Sequence, residues 1–253
     1  MAYINLCNAS VTFSIYNTKA RSVRNHLIKT IGGSVQSIDK TIYVKALEDI
    51  NLEIKQGERV GLIGHNGAGK STLLKVLSGI YEPTSGTIQI KGYTSSLTDI
   101  TMGMDPESSG YENIIMRCIF MGMSFTEAKA KVREIIDFSE LSEYIDLPIR
   151  TYSTGMYLRL AYTIATSVAP EILIMDEMIG AGDANFIEKA RQRSMELVKK
   201  TKIMIISSHD MHIMRDICTR GIWMEKGRIR MDGNIDEVIG AYHNSINTPK
   251  LND

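Results

Sequence analysis

One stretch limits what this chain can become: Gly64-His65-Asn66-Gly67-Ala68-Gly69-Lys70-Ser71-Thr72. It fits the pattern G-x-x-x-x-G-K-[ST] at every position. Before it, Arg59-Val60-Gly61-Leu62-Ile63 is an apolar run of strand length. After it, Thr72-Leu73-Leu74-Lys75-Val76-Leu77-Ser78 has helical character and closes at Gly79. Strand, glycine loop and helix in that order make a phosphate cradle. The glycines let the backbone curl with its N–H groups turned inward, and the helix N-terminus adds the positive end of its dipole. Lys70 has the reach for β- and γ-phosphates, and the Ser71 hydroxyl can take one position on Mg²⁺.

Composition narrows the setting. With 253 residues the chain has room for one large α/β domain or two small ones. Lys plus Arg and Asp plus Glu number 29 each, which argues against non-specific nucleic-acid binding while leaving room for a local basic patch. Cys7, Cys118 and Cys218 lack paired or metal-ligand spacing, so a reducing compartment and no zinc site are expected. Met1-Ala2-Tyr3-Ile4-Asn5 does not open a signal peptide, and no apolar run approaches the length of a membrane span. The expectation is a protein that is soluble or held at a membrane by a partner.

Along the chain, Tyr3 to Tyr16 has the β-branched and aromatic content of a strand. A basic stretch with Lys19, Arg21, Arg24 and Lys29 follows, in which Val23, Leu27 and Ile31 recur at helical spacing before Gly32-Gly33-Ser34 opens a loop. It fits either a solvated insertion or a basic helix near anionic lipid headgroups. Thr41 to Gln56 returns to strand character, Glu82-Pro83-Thr84-Ser85-Gly86 is a tight turn, and Thr87 to Gly92 is another strand. Ser124-Phe125-Thr126-Glu127 is a capping box that starts a helix with Ala128, Val132, Ile135 and Ile136 on one face. A further helix begins near Ser153, carries Met156, Leu160, Ile164 and Val168, and is expected to stop at Pro170. Glu171 to Met175 and Lys202 to Ser208 resemble strands buried on both faces of a parallel sheet, with a helix from about Asn185 to Lys200 between them. Gly221–Glu225 and Arg228–Met231 form a hairpin through Lys226-Gly227, and a last helix spans about Ile235 to Tyr242.

Three more stretches carry chemistry. Ile172-Leu173-Ile174-Met175-Asp176-Glu177 is a buried strand ending in two carboxylates. Asp176 falls where it can hold Mg²⁺ directly or through water, and Glu177 where a water attacking a γ-phosphate needs a base. In Tyr152-Ser153-Thr154-Gly155-Met156, Ser153 and the backbone of Gly155 stand at a helix N-terminus, either as an anion site or as an ordinary cap. In Ser207-Ser208-His209-Asp210 a histidine follows a strand's carboxyl end, within reach of a γ-phosphate or simply at the surface.

Taken in order, the phosphate loop, the Tyr-Ser-Thr-Gly-Met stretch, the Asp-Glu strand and His209 resemble the nucleotide-binding subunit of an ATP-binding-cassette (ABC) transporter, over roughly Asn5 to Tyr242. The resemblance implies an α/β fold of the P-loop NTPase, ABC ATPase type: a mixed-sheet core with a helical subdomain bearing the signature motif. On that footing residues 1–245 form the nucleotide-binding domain, with the helical subdomain at about 104–169, the basic insertion at about 17–40 and a polar tail at 246–253. It implies ATP and Mg²⁺ as cofactors. Gly64, His65, Asn66, Gly67, Ala68, Gly69, Lys70, Ser71 and Thr72 would bind phosphates, and Ser71 and Asp176 would serve the metal. Glu177 would be the catalytic carboxylate and His209 the γ-phosphate switch, with Asp183 of Gly180-Ala181-Gly182-Asp183 matching the family's D-loop aspartate. Two subunits would pair head to tail, so that Ser153 and Gly155 of one close on the ATP of the other.

The departures from the family pattern are informative. Tyr152, Thr154 and Met156 replace three residues of the usual Leu-Ser-Gly-Gly-Gln signature. Where the family has a glutamine, Ser95-Ser96-Leu97-Thr98-Asp99-Ile100 offers Asp99, whose carboxylate can also approach the metal. Phe13, Tyr16 and Tyr43 all remain candidates for the adenine platform. These features, with the basic insertion, Gly103-Met104-Asp105-Pro106-Glu107 and Gly110-Tyr111-Glu112-Asn113-Ile114, look like polysaccharide exporters. The nearest are ATPases for lipid-linked O-antigen, with capsule and teichoic-acid exporters as relatives. Some O-antigen ATPases have a C-terminal carbohydrate-binding domain, for which this sequence has no room.

The implied protein is an ATPase at the cytoplasmic face of the inner membrane, peripheral through a separate permease subunit, exporting a lipid-linked polysaccharide and binding no nucleic acid. Other cargo, such as teichoic acid, capsule or a small molecule, and a non-transport ABC ATPase are the alternatives. A kinase or GTPase on the same loop lacks an Asn-Lys-x-Asp guanine reader here. Met102, Met104, Met116, Met121 and Met123 crowd the segment after Asp99, either as a sliding surface for the membrane subunit or as core filling.

Overall fold

The computed structural model describes residues 1–15, 34–38, 41–176 and 184–247. Two compact units emerge from the chain.

The first unit holds most of the strands. Strand β1 (Tyr3–Ile15) pairs antiparallel with β3 (Thr41–Lys55) on one side and β5 (Ser85–Lys91) on the other. β2 (Ser34–Ile38) adds to the far edge of β3, giving the order β2-β3-β1-β5. β2 was not expected: its five residues fall where the sequence pointed to a loop, and its pairing with β3, from Ser34↔Lys45 to Ile38↔Thr41, supplies what local propensity does not.

The second sheet has the order β10-β9-β4-β8-β7-β6. β4 (Arg59–Ile63), β7 (Ile172–Asp176), β8 (Ile203–Ser207) and β9 (Arg220–Glu225) run parallel. β6 (Thr94–Ser96) closes one edge, and the antiparallel β10 (Arg228–Asn234) closes the other. Their continuous apolar sequences are explained by burial on both faces: Val60, Ile172 and Ile203 on one face and Ile63, Leu173 and Met204 on the other are almost fully buried. Helix α1 (Lys70–Leu77) buries Leu73, Leu74 and Val76 in the same core, together with Leu47, Ile50 and Leu52 of β3.

The second unit is helical. It contains α2 (Gly110–Phe120), α3 (Phe125–Ser139), α4 (Thr154–Ala165) and α5 (Ala184–Lys200). The expected capping box is present at Ser124 and Glu127, and a second one, Ser109 with Glu112, starts α2. Ile114, Cys118, Ala128, Ile135, Leu160 and Ile164 form its core, with Met104, Met121 and Met123 packed against them. Met102 by contrast is half exposed. Tyr162 is fully buried, its hydroxyl 2.6 Å from the Ala190 carbonyl and 2.7 Å from Ser194 Oγ.

Helix α4 ends at Ala165, before the expected Pro170 stop. Thr166 Oγ1 donates to the Tyr162 carbonyl at 2.8 Å and Ser167 Oγ to the Ile164 carbonyl at 2.8 Å, so buried hydroxyls satisfy the last turn instead. Back in the first unit, α6 (Met211–Ile217) was also unforeseen, and α7 extends over Ile235–Asn247. The expected basic helix with Val23, Leu27 and Ile31 lies outside the described residues.

Candidate functional site

The site is built at the carboxyl ends of the parallel strands. β4 ends at Ile63, β7 at Asp176 and β8 at Ser207, and the register pairs Asp176 with Ser207 and Leu62 with Ser207. Three strand ends are therefore level, and the loops leaving them share one edge. That is where ligands bind in open α/β sheets.

The loop from β4 into α1 is the predicted phosphate loop. Gly64 leaves the strand with φ 151°, and a Cβ there would press on the Met224 carbonyl of β9 and lie 3.1 Å from Ala68 Cβ. Only glycine fits that space and that backbone. Lys70 opens α1 with its side chain folded back into the loop, Nζ donating to the Gly64 carbonyl at 2.6 Å and the His65 carbonyl at 3.2 Å. Its ammonium is nearly buried at 8% exposure, held where phosphate oxygens would replace carbonyls as its acceptors. His65 Nδ1 lies 2.8 Å from the Asn66 carbonyl, so that nitrogen carries the proton. Thr72 is buried on the first turn of α1.

Ser71 and Asp176 come together from 105 residues apart: Ser71 Oγ donates to Asp176 Oδ2 at 3.1 Å. This is the contact expected of a metal-binding pair. Both atoms are hard oxygen donors, and two neighbouring ligands of an octahedral Mg²⁺ at about 2.0–2.1 Å stand about 2.9 Å apart. No group of three or more His, Cys, Asp or Glu gathers among the described residues.

His209 stands two residues past β8 and is exposed, while Asp210 caps α6 by accepting from the His212 N–H at 2.9 Å and the Ile213 N–H at 3.2 Å. Ser153 caps α4, accepting from the Met156 N–H at 3.2 Å; Gly155 has only Ser153 Oγ within 4 Å of where a Cβ would be. Tyr152 turns away from that helix end, and its hydroxyl donates to the Tyr144 carbonyl at 2.8 Å. Asp99 is exposed and accepts from Thr101 Oγ1 at 2.9 Å. Glu177 and Asp183 lie outside the described residues, as does Tyr16. Phe13 meets Tyr81 edge to face at 5.5 Å between ring centroids, and Tyr43 is half-buried.

One support of the loop was missed by sequence reasoning. The β9–β10 turn at Lys226-Gly227 packs under the phosphate loop: the Gly227 N–H donates to the Ala68 carbonyl at 2.9 Å, and the Gly227 carbonyl accepts from the Glu48 N–H at 2.8 Å. Arg228 beside it bonds Glu48 at 2.9 Å. The hairpin was legible, but nothing local announces a contact spanning more than 150 residues.

A glycine loop at a helix N-terminus, with a serine–aspartate pair beside it on parallel strands, defines a phosphate-loop nucleotide-binding protein. The sequence model for the family described as ABC transporter matches residues 47–180. The chain is 44% identical over 224 residues to the O-antigen export system ATP-binding protein RfbE of Yersinia enterocolitica, covering 88% of this chain and 94% of that one. It is 43% identical to RfbB of Myxococcus xanthus, of which it spans 51%. It is also 37% identical to the teichoic acids export ATP-binding protein TagH of Lactococcus lactis, of which it spans 48%. Among solved structures it resembles a dimeric ATP-binding cassette in a post-hydrolysis state with ADP and Pi bound (TM-score 0.66, 21% identity, 92% of this chain and 98% of that one). It also resembles an ATP-binding subunit of an ABC transporter (TM-score 0.67, 21% identity, 95% of this chain and 93% of that one). The chain belongs to the ABC transporter family, as an ATP-binding subunit that hydrolyses ATP to drive transport.

Proposed function

We propose that this chain powers the export of a lipid-linked polysaccharide of the O-antigen kind, working on a separate membrane subunit at the cytoplasmic face of the inner membrane. The bond between Ser71 and Asp176 carries the chemical reading. The O-antigen export relatives at 35–44% identity support the cargo. Teichoic-acid export is the second reading, favoured by relatives at up to 37% identity.

Ser71 and Asp176 would hold Mg²⁺, which when bound would offset negative charge on the nucleotide phosphates. Lys70 binds the phosphates from within the loop, together with the backbone N–H groups of residues 64–72 and the α1 N-terminus. Glu177 follows Asp176 directly and orients the attacking water, accepting its proton. His209, from the neighbouring strand end, donates a hydrogen bond to the γ-phosphate. Two copies close over two ATP molecules, with Ser153, Gly155 and Asp183 of one protomer meeting the nucleotide of its partner. Catalysis is by positioning and charge stabilisation.

An apolar groove on the helical unit supports a seat for the membrane subunit. Tyr111, Ile115, Met116, Ile119 and Phe120 of α2 and Phe125 of α3 line an apolar groove of about 510 Å³. Phe120 is 67% exposed and Phe125 56%. An exposed apolar patch of this kind marks an interaction surface, and an export ATPase needs a chain that crosses the membrane. No helix among the described residues is long and apolar enough to do so.

The test is ATPase activity of the purified protein, alone and with its co-purified membrane subunit in lipid, with lipid-linked O-antigen or teichoic-acid precursor added. Stimulation by partner and O-antigen glycan is expected. Turnover indifferent to partner and glycan would remove the cargo assignment while keeping the ATPase.

A further inference from the structure

Helix α2 has work on a second face. Asn113 and Arg117, one turn apart on it, both reach back to the segment that leads into the helix. Asn113 is fully buried. Its Oδ1 accepts from the Asp105 N–H at 2.8 Å, and its Nδ2 lies 3.0 Å from the Asp105 carbonyl, 3.2 Å from that of Ser108 and 2.9 Å from that of Ser109. Arg117 donates through Nη1 to the Met102 carbonyl and through Nη2 to the Ile100 carbonyl at 3.3 Å. Gly103 turns the chain here with φ 77°, and a Cβ on it would lie 3.3 Å from Nη1. Ile100 is buried at 7% exposure and Met104 packs on the helical core, while Asp99 and Met102 are exposed, so the Arg117 bonds hold an exposed turn between two packed residues.

The Arg117 fork is not a structural ion pair. Its acceptors are two carbonyls, and its Nε is buried with no hydrogen-bond partner among the described residues. Desolvation pulls the guanidinium's affinity for its proton down, and the charge of Asp99 works against that. A half-buried arginine that spends its charge on two carbonyls of one short loop, with a donor left over, is placed to fix that loop's shape. The loop begins at Asp99, whose Oδ1 is taken by Thr101 and whose Oδ2 has no hydrogen-bond partner among the described residues.

We propose that Arg117 is a positioning residue for ATP hydrolysis: it holds the Ile100–Met104 segment so that Asp99 is presented in one orientation. This rests on the reading that Asp99 serves the metal of the nucleotide-bound enzyme. Asn113 anchors the residues that follow, Asp105 to Ser109, and the groove-lining Ile115 and Ile119 lie on a different face of α2. A partner that moves α2 therefore moves the Asp99 loop with it.

The test compares Arg117→Met, Arg117→Lys and Asp99→Asn in the full chain with its membrane subunit. Two readouts are taken: amide hydrogen exchange over residues 99–104, and kcat and KM for ATP across a Mg²⁺ titration. Arg117→Met is expected to raise exchange in that segment at least tenfold with the α1 and β4 peptides unchanged. It should lower kcat about tenfold with KM for ATP within twofold, and shift the Mg²⁺ requirement upward. Arg117→Lys, a point charge that cannot span both carbonyls, should recover part of both. Unchanged exchange, or raised exchange with wild-type kcat and Mg²⁺ dependence, overturns the proposal. Asp99→Asn separates the two layers. A defect there beside a normal Arg117→Met overturns the clamp alone, and normal behaviour of both variants overturns the role of Asp99 as well.

Discussion

Replacing Gly64 with alanine tests how the phosphate loop is held. Two costs add. A residue with a side chain at φ 151° is strained by about 1–3 kcal/mol. The new methyl also presses on the Met224 carbonyl of a buried strand that is hydrogen-bonded to β10 and parallel to β4, so relief requires moving backbone. Overpacking of that kind costs about 1–3 kcal/mol. The total, about 2–6 kcal/mol, is large beside the ~5–15 kcal/mol that holds a typical domain together. Trp223 is the only tryptophan, is 5% exposed and precedes Met224, so its fluorescence reports on the disturbed strand. A urea titration followed at Trp223 should show the midpoint of Gly64→Ala lowered by roughly 1–2 M. ATP affinity should fall at least tenfold, since the loop cannot keep its shape. Gly240→Ala is the matched control: the same added methyl, in α7, meets nothing within 4 Å and should stabilise by about 0.5–1 kcal/mol. A Gly64→Ala protein with wild-type midpoint and ATP affinity would refute the packing argument.

Three further outcomes are expected. Glu177→Gln should trap an ATP-bound dimer visible by size-exclusion chromatography, and rapid steady turnover would remove Glu177 from the catalytic role. Of the three thiols, burial pushes Cys218 up to about 12 and raises Cys118, while Cys7 is exposed. Ellman's reagent at pH 8 should therefore titrate one thiol in the native protein and three in urea, and rapid labelling of all three would contradict the packing. Tyr162→Phe removes a hydroxyl from a fully buried site and leaves Ser194 Oγ and the Ala190 carbonyl without it, so stability should fall by about 1–3 kcal/mol in a thermal melt.

The sequence by itself determined whatever depends on neighbours along the chain. The phosphate loop was legible because glycine spacing and Lys70 are a local requirement of wrapping backbone around phosphate. β7 and β8 were legible because burial on both faces removes polar residues from the run. The Ser124–Glu127 capping box was legible because its partners are three residues apart. Asp176 was singled out as a strand end, and its partner Ser71 as a loop end.

Only the tertiary structure decided what requires distant parts to meet. It brought Ser71 to 3.1 Å from Asp176 and set the Gly227 turn beneath Ala68. It made a strand of Ser34–Ile38 by offering the edge of β3. It ended α4 at buried hydroxyls before Pro170 was reached. Arg117 drew no notice in the sequence because nothing in its spacing tells a solvated arginine from one folded onto the carbonyls of Ile100 and Met102. The physical reason is common to all of these. Local chemistry fixes which conformations a segment favours, whereas a hydrogen bond across 105 or 150 residues exists only after the sheet has set its strand order.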